Sequence, residues 1–218
     1  YENEPANVDI VKIGLRYGAD GVYSASVFNP AGEGFLVGFY GEDRQFQQIF
    51  TYGGASLTVS GSQNWHILLD GAYPDFAQAR TSALAYGGFV GYINGEYRVL
   101  YGSFGSREGA ENRKDRFRLR GQSYSAGESA LLLKDSAPIM LFDDPVGFAL
   151  LPENSGGKPA FRFGENSYYG GVRFTAWESG RINVVNYVGL EDYVKGVIPY
   201  EMSASWPYET LKAQAICA

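Results

Sequence analysis

Apolar and polar positions alternate with period two near the start of the chain. Val11, Ile13 and Leu15 interleave with Lys12, Gly14 and Arg16, which predicts a half-buried strand. Further strand-like runs at 35–40 and 55–59 are punctuated by Asn29-Pro30 and Gly32-Glu33-Gly34, and the polar cluster Gly61-Ser62-Gln63-Asn64 marks a boundary. The pattern then changes. After an apolar strand at 65–69, Phe76, Ala79, Ala83 and Leu84 recur at helical spacing behind Pro74. Runs at 89–93 and 97–101 flank Asn94-Gly95, the strongest short-range hairpin signal, and a second helix opens near Ser106. Residues 64–120 thus spell β-α-β-β-α, and the polar Gly/Ser stretch 121–130 reads as a linker. Strands return over 131–188, with a loop at 153–159 and a turn at Glu178-Ser179-Gly180. Leu190, Tyr193, Val194 and Val197 share one face of a helix that Pro199 is expected to end. Pro207 starts another, with Glu209 in its first turn and Leu211, Ala215 and Ile216 on the side expected to be buried.

Composition narrows the class. With 45% hydrophobic and 19% charged residues over 218 positions the chain is globular, and its 29 Gly, 17 Tyr and 14 Phe favour short strands joined by tight turns. The expected fold class is α+β, mostly β. A net charge of -6 argues against nucleic acid as a partner. Basic side chains outnumber acidic ones between Arg107 and Arg120, which suits a solvated helix face. One cysteine, Cys217, and one histidine, His66, leave no disulfide framework and no Cys/His zinc cluster, so neither metal nor cofactor is expected. No Gly-x-Ser-x-Gly elbow accompanies His66. No run approaches the ~18 apolar residues of a spanning helix. The first residue is Tyr1, and the chain reads as a piece of something longer.

The stretch Leu190-Glu191-Asp192-Tyr193-Val194-Lys195-Gly196-Val197-Ile198-Pro199-Tyr200-Glu201-Met202, followed by Ser205-Trp206-Pro207-Tyr208-Glu209-Thr210-Leu211-Lys212-Ala213-Gln214-Ala215, resembles the signature of the SpoIID/LytB family. The resemblance implies a cell-wall protein of spore-forming and related bacteria, acting as a lytic transglycosylase on peptidoglycan glycan strands. The family's catalytic acid is the glutamate of its Pro-x-Glu-Met motif, which falls on Glu201. The residues add a physical argument. Val197, Ile198, Pro199, Met202 and Trp206 are apolar neighbours expected to desolvate that carboxyl and keep it protonated for transfer to a glycosidic oxygen. Trp206 and Tyr193 are candidate sugar platforms, while Glu191, Asp192 and Glu209 suit helix N-termini. Tyr200 stands where the family usually has a small residue, and the family signature runs on past the position of Ala218.

Residues 64–120 resemble a SPOR domain, whose members bind glycan stripped of stem peptides; Tyr97, Arg98 and Tyr101 are its candidate contacts. These resemblances imply a discontinuous SpoIID-type domain over 8–63 and 121–218 with a SPOR-like module inserted, so that residues 11–16 should pair with 168–188. The expected activity is cleavage between MurNAc and GlcNAc to 1,6-anhydro products. The alternatives are a non-catalytic enhancer of a cell-wall amidase and a peptidoglycan-binding module. Expected partners are glycan strands, with a cell-wall amidase and membrane-anchored sporulation proteins beside them, and the expected location is extracytoplasmic, at the wall or membrane surface of a Gram-positive spore-former.

Overall fold

A computed structural model describes residues 9–143, 145, 147–203 and 205–217; the Tyr200 side chain, a departure noted above, lies outside this description. The first segment supplies β1 (Ile10–Arg16), β2 (Ser24–Phe28), β3 (Phe35–Tyr40), β4 (Phe46–Tyr52) and β5 (Ser56–Ser62). Next come β6 (Trp65–Leu69), α1 (Phe76–Tyr86), β7 (Phe89–Ile93), β8 (Glu96–Phe104), α2 (Arg107–Phe117) and β9 (Gly121–Ser125). The chain continues through β10 (Ser129–Lys134), β11 (Ala137–Asp143), β12 (Phe148–Pro152), β13 (Ala160–Phe163), β14 (Asn166–Tyr169), β15 (Gly171–Trp177) and β16 (Arg181–Gly189), then α3 (Leu190–Glu201) and α4 (Tyr208–Cys217). The architecture is α+β and mostly β. No described helix is long and apolar enough to cross a membrane.

Two sheets form the body. Six strands run β1-β16-β15-β12-β3-β4, and ten run β14-β13-β2-β5-β10-β11-β7-β8-β6-β9. The pairing expected between the first strand and 168–188 is present: β1 lies antiparallel to β16, with Val11 opposite Val188 and Ile13 opposite Asn186. Both faces of β16 are largely buried. Ile182 and Val184 face inward with Phe174, Phe148, Val172 and Leu150, all fully buried against Val27, Val59 and Leu132 of the larger sheet. The sheets nearly touch at one end, where a Cβ on Gly61 would lie 2.0 Å from the Gly180 carbonyl oxygen. That contact requires glycine at 61.

The segment after β5 carries one more strand than its sequence pattern suggests. Residues 121–125 are a strand rather than a linker, because β9 pairs along β6 from Gly121 opposite Leu69 to Ser125 opposite Trp65. With it the order is βαββαβ, in a sheet arranged β7-β8-β6-β9 with both helices on one face. Asp75 caps α1 by accepting from the Gln78 amide at 2.8 Å, and Ser106 caps α2 by accepting from Gly109 at 3.1 Å. Asn94 and Gly95 take φ of 51° and 80°, the left-handed pair that a tight hairpin demands. This sheet does not stand apart: β7 pairs parallel with β11, Val90 opposite Met140, and so joins the ten-stranded sheet. The face away from the helices is buried too, where Leu68, Phe89, Leu100 and Leu141 pack together and Tyr124 of β9 donates to Asp143 of β11.

His66 sits on that second face, 1% exposed, edge-on to Phe89. Its Nδ1–H donates to the Gly102 carbonyl at 2.6 Å, while Nε2 is buried with no partner among the described residues. Burial lowers its pKa, and the Gly102 bond opposes this more weakly. The folded state therefore refuses a proton that the unfolded chain accepts below 6.5. Stability from this group is complete above that pH and falls as pH drops below it. No other histidine titrates there. In urea titrations, H66N, which keeps a donor for Gly102 but cannot titrate, should lose the stability decline between about pH 6.5 and 5.5; an unchanged decline would place its cause elsewhere.

Candidate functional site

α3 follows β16 directly and packs on β16 and on β1, the edge strand of the six-stranded sheet. Leu190 starts the helix with its amide donating to the Asp9 carbonyl at 2.6 Å. Glu191 and Asp192 follow in the first turn, where the helix dipole favours negative charge. Tyr193, Val197 and Glu201 recur every four residues and so share one face of α3. That face borders a groove of about 390 Å³ whose floor is Ile13 and Leu15 of β1 with Asn186 and Val188 of β16; its far wall is Ser167, Tyr168 and Tyr169 of β14. Asn186 is buried and donates at 2.9 Å to both the Tyr169 and Gly171 carbonyls, which fixes that wall to the floor.

One flank is tethered. Lys158 forms an ion pair with Asp192 of the groove, and the loop that carries it is doubly anchored. Asn154 Nδ2 donates to the Lys158 carbonyl at 3.0 Å, and the Glu33 carboxylate accepts from the Ser155 amide and hydroxyl at 2.6 and 2.7 Å. These two bonds hold the Glu33 carboxyl below its ordinary pKa.

Glu201 lies on the last turn of α3, which continues past Pro199 instead of ending there. Pro199 lacks an amide, so only the bond to the Lys195 carbonyl is lost and the turn closes through Met202 donating to Ile198 at 2.9 Å. The carboxyl borders the groove and has no hydrogen bond or ion pair among the described residues. The apolar shell expected around it is not in place. Glu201 and Pro199 are exposed, Val197, Ile198 and Met202 are only half-buried, and Trp206 is 50% exposed. The physical reason is packing: α3 contacts β16, β1 and α4, and the described side chains of α4 are themselves exposed or only half-buried. The buried side expected of α4 is likewise absent, with Leu211 and Ala215 half-buried and Ile216 87% exposed.

Of the other residues singled out in the sequence, Tyr193 joins Glu201 in the groove and Trp206 is not among its lining residues. Tyr97 and Tyr101 of β8 turn toward α1 and the main core, half-buried, Tyr97 packing 5.1 Å from Tyr92. Arg98 alternates to the opposite side, where its Nε donates to Gly71 at 2.8 Å. The three do not converge on one surface. Asn186, Tyr169 and Lys158 were missed. A polar Asn186 on the buried side of an alternating strand was the available signal; nothing in the sequence placed Lys158 beside Asp192. No group of three or more His, Cys, Asp or Glu able to hold a metal occurs among the described residues.

Residues 178–218, which contain β16, α3 and α4, match the family model described as SpoIID, Stage II sporulation protein. An uncharacterized protein of Brachyspira hyodysenteriae is 55% identical over 51 residues, 23% of this chain and 14% of that protein. The matching part thus spans about a seventh of that curated relative. No solved structure matches the chain.

Proposed function

We propose that this chain carries the acid-bearing part of a peptidoglycan lytic transglycosylase, with glycan strands as substrate and Glu201 as its single acid and base. The observation that carries the reading is the placement of Glu201, inside the family-matched segment, on the groove face of α3 beside Tyr193. An exposed carboxyl with no partner among the described residues is reachable by a bulky polymer. In the proposed step Glu201 gives its proton to the glycosidic oxygen as the bond from MurNAc C1 breaks. The C6 hydroxyl of the same sugar then bonds to C1 and returns its proton to Glu201. A 1,6-anhydro ring and a free GlcNAc hydroxyl result, and no water is consumed. One carboxyl suffices, where hydrolases generally use two. Tyr193 and Tyr169 flank the groove with the aromatic faces that sugar rings pack against.

The completed βαββαβ order supports reading residues 64–125 as a SPOR-like unit within a SpoIID-type body. This reading places the protein outside the cytoplasm, at the wall. The exposure of Glu201 favours one second reading, a non-catalytic enhancer of a cell-wall amidase. Mass spectrometry of denuded glycan incubated with the full-length protein separates the two. Products ending in 1,6-anhydroMurNAc support the transglycosylase. Reducing-end products would make it a hydrolase, and intact glycan with stimulated amidase activity would favour the enhancer.

A further inference from the structure

A second cavity, of about 500 Å³, opens on the outer face of the six-stranded sheet, within the ~300–1,000 Å³ of ordinary ligand clefts. Its floor is Arg173 and Val185, directly opposed on β15 and β16, with Thr175 and Asn183 the next pair on that face. The groove beside Glu201 uses Asn186 and Val188 of the same strand, which have the opposite parity. The two cavities therefore lie on opposite faces of one sheet, and a ligand in one leaves the other free.

Aromatic rings and carboxylates meet in this cavity. Trp177, at the end of β15, is half-buried, and Tyr17 stands over it with ring centres 6.3 Å apart and planes tilted by 37°. Tyr17 is 61% exposed, yet the turn after it is held in place. The buried Asn183 side chain accepts from the Gly18 amide at 2.8 Å and donates to Thr175 at 3.1 Å, while Arg181 donates to the Ala19 carbonyl. Glu128 and Asp143 bring carboxylates, and Arg173, which donates to the Tyr187 hydroxyl at 2.9 Å, brings a guanidinium. Among the described lining residues, two carboxylates against one guanidinium disfavour an anionic ligand, and a wholly apolar one would strip water from these groups without replacing its hydrogen bonds. A ring with a hydrocarbon face and hydroxyl edges answers both demands: its C–H face packs on the aromatics and its hydroxyls donate to the carboxylates.

We propose that this cavity is a saccharide site taking one or two uncharged pyranose rings across Trp177 and Tyr17. The assignment stands apart from the chemistry of Glu201. It is tested by titrating chitotetraose into the full-length E201Q protein, so that no glycan is consumed, while following the Trp177 indole N–H by NMR, assigned with W177F. The expected result is a saturable shift of that signal, weakened about tenfold by Y17A, a change at an exposed ring that leaves the fold intact. A silent Trp177, an affinity unchanged in Y17A, or a response to trilysine with none to the sugar would overturn the proposal, whether or not the wild-type protein cleaves glycan. A saturable, Tyr17-dependent shift in a protein that cleaves nothing would uphold this site while removing the transglycosylase reading.

Discussion

Replacing Glu201 with Gln is expected to abolish formation of 1,6-anhydro ends from denuded glycan, with turnover lower by roughly 10²–10⁴-fold, the span usual for loss of a positioned general acid. The amide keeps the shape of the carboxyl but can neither give the proton that releases the leaving oxygen nor recover one from the C6 hydroxyl. Folding should be unaffected. Glu201 is exposed and makes no hydrogen bond or ion pair among the described residues, so its replacement should change stability by no more than about 0.5 kcal/mol. Loss of turnover at constant thermal midpoint and constant glycan affinity would thus locate the defect in chemistry. Single-turnover assays on full-length protein read this directly. Activity within a few-fold of wild type would remove Glu201 from the mechanism and require another acid.

Phe148→Ala should destabilise the fold more than any surface change, by about 3–5 kcal/mol. Phe148 is completely buried and occupies the centre of a chain of rings that crosses the molecule. Tyr92 of β7 contacts Phe142 of β11 with centres 5.7 Å apart; Phe142 stacks on Phe148 of β12 at 4.8 Å, and Phe148 meets Phe174 of β15 at 5.3 Å. Phe148 thus links a ring of the larger sheet, Phe142, to one of the smaller sheet, Phe174. Truncation leaves a cavity at the meeting point, which rigid sheets on both sides cannot collapse to fill. For a chain of this size the thermal midpoint should drop by roughly 10 °C. Ile216→Ala, at a side chain 87% exposed, should change it very little. Equal effects of the two in chemical denaturation would mean that the rings do not carry the load assigned to them.

How much of this could be read in advance depended on whether the cause was local. Asn94-Gly95, the helix opening at Ser106 and the alternation of β1 each follow from a few adjacent residues, and each is where the sequence puts it; α1 instead starts at Phe76 behind an Asp75 cap, with Pro74 just outside the helix. The strand at 121–125 was hidden because Gly-Gln-Ser-Tyr-Ser carries turn-like composition; its β form comes from pairing with a strand some fifty residues earlier. The parallel junction of β7 with β11 was hidden for the same reason. At the groove, Tyr193 and Val197 on one helix face were visible, but a helix expected to stop at Pro199 left Glu201 off that face, and the opposing wall from β14 was not visible either. The exposure of Glu201 shows the limit most clearly. Apolar neighbours along a helix spread around its axis, and only a second packed element turns them into a shell.

The ladder between β7 and β11 has a consequence for how the inserted unit works with the rest. Two modules on a flexible tether gain avidity through the high local concentration that the tether enforces, whatever the orientation of either. Here residues 64–125 are built into the ten-stranded sheet through the pairing of β7 with β11. If that stretch is the glycan-binding unit proposed above, whatever it holds is carried at a fixed offset from the groove beside α3. Simultaneous engagement is then a matter of pitch and span: a polymer either matches that spacing or touches one end alone.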